Sequence, residues 1–172
     1  DIIQKYKPKK DSLVIDVGSN DGTLLNFFKN HGLKVLGVDP AKKIAKKATL
    51  NGIKTLPEFM SKKLSQSIKK EYGLAKIITA NNAFAHSDNL KEMAECMISL
   101  LGKKGTIVIE VQYLMNTLKD LTFDNIYHEH YNYWSLTSLV TFFNKLSGKI
   151  FRAEKINTHG GSLSCLLYTS PS

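Results

Sequence analysis

Apolar and polar positions along the chain switch between two rhythms. Short runs in which nearly every residue is apolar or β-branched alternate with longer stretches in which apolar residues recur every three or four positions. The first kind suits strands buried on both faces, the second helices that cover a sheet. Ser12 to Val17 (SLVIDV), closed by Gly18, predicts a first strand, and Leu24, Leu25, Phe27 and Phe28 predict a helix over Thr23 to Asn30. Lys34 to Asp39 predicts the second strand, followed by a helix that starts at Pro40, where a missing N–H costs nothing, and runs to Leu50. A short third strand falls at Ile53 to Leu56, and a polar helix at Ser61 to Glu71. Ala75 to Ala80 (AKIITA) predicts the fourth strand, Asn89 to Leu101 a helix, and Gly105 to Val111 the fifth strand. A short helix after Leu114 and a longer one over Leu136 to Leu146 precede two last strands, Lys149 to Ile156 and Leu163 to Tyr168, joined by the turn His159-Gly160-Gly161-Ser162. Strands and helices alternating over short connections predict an α/β fold with a mostly parallel sheet flanked by helices.

No internal repeat or low-complexity linker breaks this pattern, and the length suits one domain. The expected core is 1–163. The final CLLYTSPS resembles translated adaptor sequence more than the continuation of a domain, so 164–172 reads as a non-native or truncated tail. A start at Asp1 rather than methionine suggests an excised fragment.

A hydrophobic share of 42% with 23% charged residues is ordinary for a soluble globular protein. No run approaches the roughly 18 apolar residues of a membrane span, and the start lacks the apolar stretch of a signal peptide. The expected compartment is the cytoplasm, with no membrane partner. Cys96 and Cys165 are the only cysteines and lie far apart, so neither a disulfide framework nor a cysteine zinc site is encoded; no metal is expected. A net charge of +9 raises nucleic acid as a partner, but all but one of the 24 basic residues are lysines. Base-edge and bidentate phosphate recognition recruit arginine, and these lysines sit in pairs on predicted helix surfaces. A solvated surface is expected instead, with no nucleic-acid partner.

The segment VIDVGSNDGTLL, from Val14 to Leu25, ends a strand in Asp16 and turns through Gly18, Asn20, Asp21 and Gly22 into a helix. Glycines let a backbone turn sharply and approach a ligand closely. Dinucleotide sites prefer G-x-G-x-x-G, with a pyrophosphate at the helix start. Here the spacing is G-x-x-x-G and acidic residues stand in the loop, which repel pyrophosphate but suit a cationic ammonium. Asp39, about 20 residues on at the end of the second strand, can accept both hydroxyls of a ribose. Adenosine without pyrophosphate fits the pair, which points to S-adenosyl-L-methionine. A plain βα turn, and a helix N-cap at Asp39, remain open readings of the same residues. The fourth strand ends in Asn81 and Asn82, beside the switch in strand order where open α/β sheets bind ligands, or where asparagine merely suits a turn. The cofactor set expected here is Asp16, Gly18, Asn20, Gly22, Asp39, Pro40, Asn81 and Asn82.

After the fifth strand, Tyr127-His128-Glu129-His130 places a phenol, two imidazoles and a carboxylate within four residues. Imidazole titrates at about pH 6.5 and can take a proton at neutral pH. A metal needs more ligands than His-x-His supplies, and a polar loop packed by aromatics is the plainest alternative.

The motifs SNDGTLL, GVDPA, ANNAFAH, EVQYL, FDNIYHEHYNYWSL and THGGSL, in this order, closely resemble the sugar-nucleotide C-methyltransferases that methylate deoxysugars at C3. The resemblance covers Leu13 to Leu163. It implies a Rossmann-like class I methyltransferase with a seven-stranded sheet, S-adenosyl-L-methionine as methyl donor and a dTDP-4-keto-deoxysugar as small-molecule substrate. It implies His130 as the base that removes the C3 proton, Glu129 as its partner and Tyr127 beside them in the catalytic set. It further implies His128, His86, His159 and Ser162 as sugar-binding residues. Related proteins carry a cysteine-rich zinc segment before this core and another α/β domain after it; neither stretch lies within these 172 residues. An O- or N-methyltransferase of another small molecule, or a non-catalytic S-adenosylmethionine-binding module, would share the cofactor motifs.

Overall fold

The computed structural model describes residues 2–122, 128, 130–158 and 161–169. Among them, seven strands form one sheet in the order β3-β2-β1-β4-β5-β7-β6. The strands are β1 (Leu13–Val17), β2 (Lys34–Val38), β3 (Thr55–Leu56), β4 (Ala75–Asn81), β5 (Leu101–Gln112), β6 (Gly148–Ile156) and β7 (Ser162–Thr169). The first five run parallel; β7 is antiparallel to both β5 and β6. The mostly parallel α/β fold expected from the sequence is the fold observed.

Helices α1 (Ile2–Tyr6), α2 (Thr23–Asn30), α3 (Lys42–Leu50), α4 (Lys62–Tyr72), α5 (Leu90–Leu100), α6 (Leu114–Lys119) and α7 (Leu136–Asn144) join the strands. All five residues of β1 are buried because both faces are covered. On one face Ile15, Ile78, Ile107 and Ile109 pack with Leu64 and Ile68 of α4, Met93 and Met97 of α5, and Leu139 and Phe143 of α7. On the other, Val14 and Ile77 pack with Leu25 and Phe28 of α2. Burying each such side chain contributes on the order of 1.5–3 kcal/mol. Serines stop the helices from fraying: Ser61 accepts the Leu64 N–H at the start of α4, and Ser135 and Ser138 form a reciprocal box at the start of α7.

Where the elements depart from expectation, a backbone bond explains the difference. The third strand begins at Thr55 rather than Ile53, because the Ile53 N–H closes α3 by donating to Ala48 O at 3.0 Å. Helix α3 begins at Lys42 rather than Pro40, because Asp39 takes the Ala41 N–H on its side chain at 2.9 Å. Strand β5 begins four residues early: Leu101 already pairs with Ala75, and the register then skips to Ile77 opposite Thr106. Helix α1 was not foreseen; its Ile2 and Ile3 pack onto the second cluster. Ser164 to Thr169, which the sequence reads both as the end of the last strand and as part of a tail, lie in β7 between β5 and β6, with Cys165 and Leu167 fully buried; Ser170 to Ser172 lie outside the described residues.

Candidate active site

The parallel strands all deliver their carboxyl ends to one edge of the sheet, and a cavity of about 510 Å³ opens there. That volume lies within the usual range of small-ligand sites. Each of the first four strands contributes to its wall: Gly18 and Asn20 after β1, Asp39 and Pro40 after β2, Glu58 to Ser61 after β3, and Asn81 to Ala83 after β4. Six of the eight expected cofactor residues therefore converge on one cavity: Gly18, Asn20, Asp39, Pro40, Asn81 and Asn82.

Gly18 sits at φ +78, and a Cβ there would lie 2.9 Å from the Ala83 Cβ. Its N–H donates to Val38 O at 2.8 Å, which ties the loop to β2. Asn20, at φ +50, donates its N–H to Asp39 Oδ2 at 2.8 Å. Asp39 thus bonds the loop through one oxygen and Ala41 through the other, and each oxygen keeps a further lone pair for a ligand.

The two remaining cofactor residues are placed elsewhere. Gly22 lies at the start of α2 with φ +81, and a Cβ there would strike Ile53 at 2.8 Å; it makes room for packing rather than lining the cavity. Asp16 is 4% exposed beneath the loop and accepts the Thr79 hydroxyl at 2.5 Å. Burial pushes its carboxyl up to about 7, the Thr79 bond opposes this, and the negative charge of Asp39 adds to the rise. Asp21 faces the helix start instead: Oδ1 accepts both the N–H and the hydroxyl of Thr23, which holds its pKa below the usual carboxylate value.

Sequence reasoning overlooked the stretch after β3 and the start of α5. Phe59 stands 76% exposed on the wall beside buried Met60, and Ser87 to Asn89, Glu92 and Met93 complete it. An aromatic three residues past the carboxyl end of a strand, where open α/β sheets bind ligands, is the sequence signal that could have found Phe59. The charge of this wall opposes that of the molecule. Among the described residues, Asp39, Glu58, Asp88 and Glu92 line the cavity without a lysine or arginine, although the chain carries +9. Glu92 is itself engaged, accepting the Lys62 N–H at 3.0 Å and the Asn89 amide at 2.5 Å.

His86 lies on the wall, and the His130 ring packs against it tilted by 56°, with centroids 4.9 Å apart. Two bonds fix this approach: Tyr131 N–H donates to Ala85 O at 2.8 Å, and the Asn132 side-chain Nδ2 donates to Ser87 O at 3.3 Å. Tyr133 meets His130 edge-on at 6.0 Å. His128 is exposed. Tyr127, Glu129 and His159 lie outside the described residues. Ser162 is fully buried, and its hydroxyl donates to Thr158 O at 3.1 Å, closing the β6–β7 turn. Among the described residues no group of three or more His, Cys, Asp or Glu is placed to hold a metal ion, and no helix is long and apolar enough to cross a membrane.

Solved structures share this architecture. Magnesium protoporphyrin IX methyltransferase (ChlM) from Synechocystis PCC 6803, with bound SAH, superposes with a TM-score of 0.71 at 17% identity, over 98% of this chain and 78% of its own. A SAM-dependent methyltransferase from Anabaena variabilis ATCC 29413 gives 0.72 at 15% identity, over 98% and 82%. The fold is that of the Rossmann-like class I, S-adenosylmethionine-dependent methyltransferases. A family model described as a methyltransferase domain matches residues 1–146, and the chain belongs to that family. The C-methyltransferase NovU of Streptomyces niveus is 36% identical over 151 residues, covering 88% of this chain. The chain spans 36% of the length of that relative.

Proposed function

We propose that the cavity binds S-adenosylmethionine and that the protein methylates C3 of a nucleotide-linked 4-keto-deoxysugar through an enolate. The observation that carries this reading is the junction of an acid-lined cavity with the His86–His130 pair. Four carboxylates without a lysine or arginine suit a ligand with two cationic centres, and Asp39 suits its ribose. Phe59 and Met60 offer an apolar face for a purine. Bound there, S-adenosylmethionine supplies an electrophilic sulfonium methyl. The name of the relative NovU, a C-methyltransferase, supports a carbon nucleophile.

A carbon nucleophile next to a ketone requires a base, and an imidazole serves at neutral pH. His130 takes the C3 proton, and the C–H electron pair moves into the enolate. The bound methyl donor would supply its sulfonium methyl to C3 with S-adenosylhomocysteine as the leaving group, while His130 keeps the proton. His86, His128 and the β6–β7 turn face the sugar, and Glu129 and Tyr127 assist the base.

Deprotonation and methyl transfer are separable. With a dTDP-4-keto-deoxysugar and S-adenosylhomocysteine in heavy water, deuterium is expected to enter at C3. His130→Asn should abolish both this exchange and methylation while changing cofactor affinity by less than about twofold, since His86 and not His130 lines the cavity. Native exchange in the variant would remove His130 as the base. Cofactor binding with methyl transfer only to oxygen or nitrogen acceptors would overturn C-methylation, and binding without any transfer would leave a cofactor-binding module.

A further inference from the structure

The turn that joins β6 to β7 is held by more than its own hairpin, and the additional bonds converge on the carboxyl end of β5. Within the turn, Thr158 O accepts the Gly161 N–H at 2.8 Å and the Ser162 hydroxyl at 3.1 Å. From outside it, the Tyr113 N–H donates to Gly161 O at 3.1 Å. The Thr158 hydroxyl donates to Glu110 Oε1 at 2.7 Å. Gly161, at φ +111, lies so close to α6 that a Cβ would stand 2.1 Å from Asn116 Nδ2.

Glu110 has a second attachment in the opposite direction. Its carbonyl accepts the Asn82 N–H at 2.8 Å, and Asn82, held at φ +53, forms part of the cavity wall. One residue therefore bonds the turn with its side chain and the cofactor wall with its backbone. A hairpin needs no such bond from a third strand, because its own ladder and turn close it. An ionised carboxylate only accepts, so the Thr158 hydroxyl must donate, which sets its rotamer; charged acceptors also make the stronger hydrogen bonds.

We propose that Glu110 is a positioning residue, whose carboxylate ties Thr158, and with it Gly161 and Ser162, to the end of β5 and holds this sugar side of the site in register with Asn82. The proposal rests on the reading above only for what the turn meets. The bond to Thr158 holds Thr158, Gly161 and Ser162 in place before substrate arrives, so the sugar does not have to position them.

Glu110→Ala, Thr158→Val and the double variant test this with three measurements: cofactor affinity by calorimetry, methyl-transfer kinetics, and hydrogen exchange at the Gly161 and Tyr113 amides. Each single variant should raise KM for the dTDP-4-keto-deoxysugar about tenfold with kcat changed much less, and cofactor affinity should stay within about twofold. The double variant should be no worse than the poorer single, and Glu110→Gln, which keeps an acceptor, should restore most of the loss. Both amides should exchange faster in each single variant. Unchanged KM and unchanged exchange in Glu110→Ala would refute the latch. A loss of cofactor affinity as large as the rise in KM would reduce Glu110 to a structural part of the sheet. If the wild-type protein methylates no keto-sugar, the functional reading fails, and exchange alone decides the latch: faster in both single variants upholds it, unchanged refutes it.

Discussion

Asp16 is a carboxyl group placed where water hardly reaches, with the Thr79 hydroxyl as its bonded partner and Asp39 as the charged neighbour that raises its pKa. In the unfolded chain it titrates near 3.8, and in the folded protein at about 7. Between those values the folded state holds a proton that the unfolded state has released. Stability from this group is therefore complete below about pH 4, declines as pH rises, and is gone above about 7. Asp16→Asn removes the titration. Urea unfolding from pH 5 to pH 8 should show the wild type losing stability relative to this variant, by at most about 1.4 kcal/mol per pH unit. Parallel curves would mean that Asp16 is ionised throughout. The sequence placed an acid at the end of β1 but could not show that the chain would bury it. For Asp39 it left a ribose acceptor and a helix cap as alternatives. The structure shows both oxygens already bonded to backbone N–H groups, with lone pairs remaining.

At the scale of elements, the βα turn after β1 depends on contact as well as conformation. Gly18 and Gly32 share a φ of +78, but a Cβ at Gly32 meets nothing nearer than the flexible Lys10 side chain at 3.6 Å, whereas at Gly18 it strikes Ala83 at 2.9 Å. Alanine at either position should cost about 1–2 kcal/mol from the backbone alone. Gly18→Ala should cost more than Gly32→Ala in urea unfolding and also weaken cofactor binding, because Ala83 and Gly18 share the cavity wall. Equal costs would show that the loop yields without strain. Helices α2, α4 and α7 were legible to within about two residues from apolar spacing and caps. The starts of β3 and β5 were not, because backbone pairing across the fold decides whether Ile53 or Leu101 joins a helix end or a strand.

Across the whole molecule, positive charge lies outside and negative charge inside the cavity. The lysines lie mainly on helices such as α3 and α4, with others in strands β5 and β6, while among the described residues the cavity wall carries four carboxylates and no lysine or arginine. Such a surface can attract any polyanion weakly. Fluorescence anisotropy with a short DNA duplex should show binding that ignores sequence and vanishes by about 0.2 M salt, as phosphate contacts without base contacts require. A tight, sequence-selective complex at physiological salt would instead assign the lysines a nucleic-acid role.

The sequence by itself determined the alternation of strands and helices, the glycine-bearing loop with Asp39 downstream of it, and the motif resemblance. These are local facts, set by side-chain periodicity and by residues a few positions apart. Tertiary structure alone decided which of the residues meet. It brought Gly18, Asn20, Asp39 and Asn82 to one cavity, because parallel strands deliver their carboxyl ends to the same edge. It turned Gly22 and Ser162 to packing and turn closure, and added Phe59 and Glu58 to the wall. It also joined Glu110 to Thr158, 48 positions apart, through an antiparallel pairing of β5 with β7. Strand order is a property of the assembled sheet, and so are the neighbours it creates.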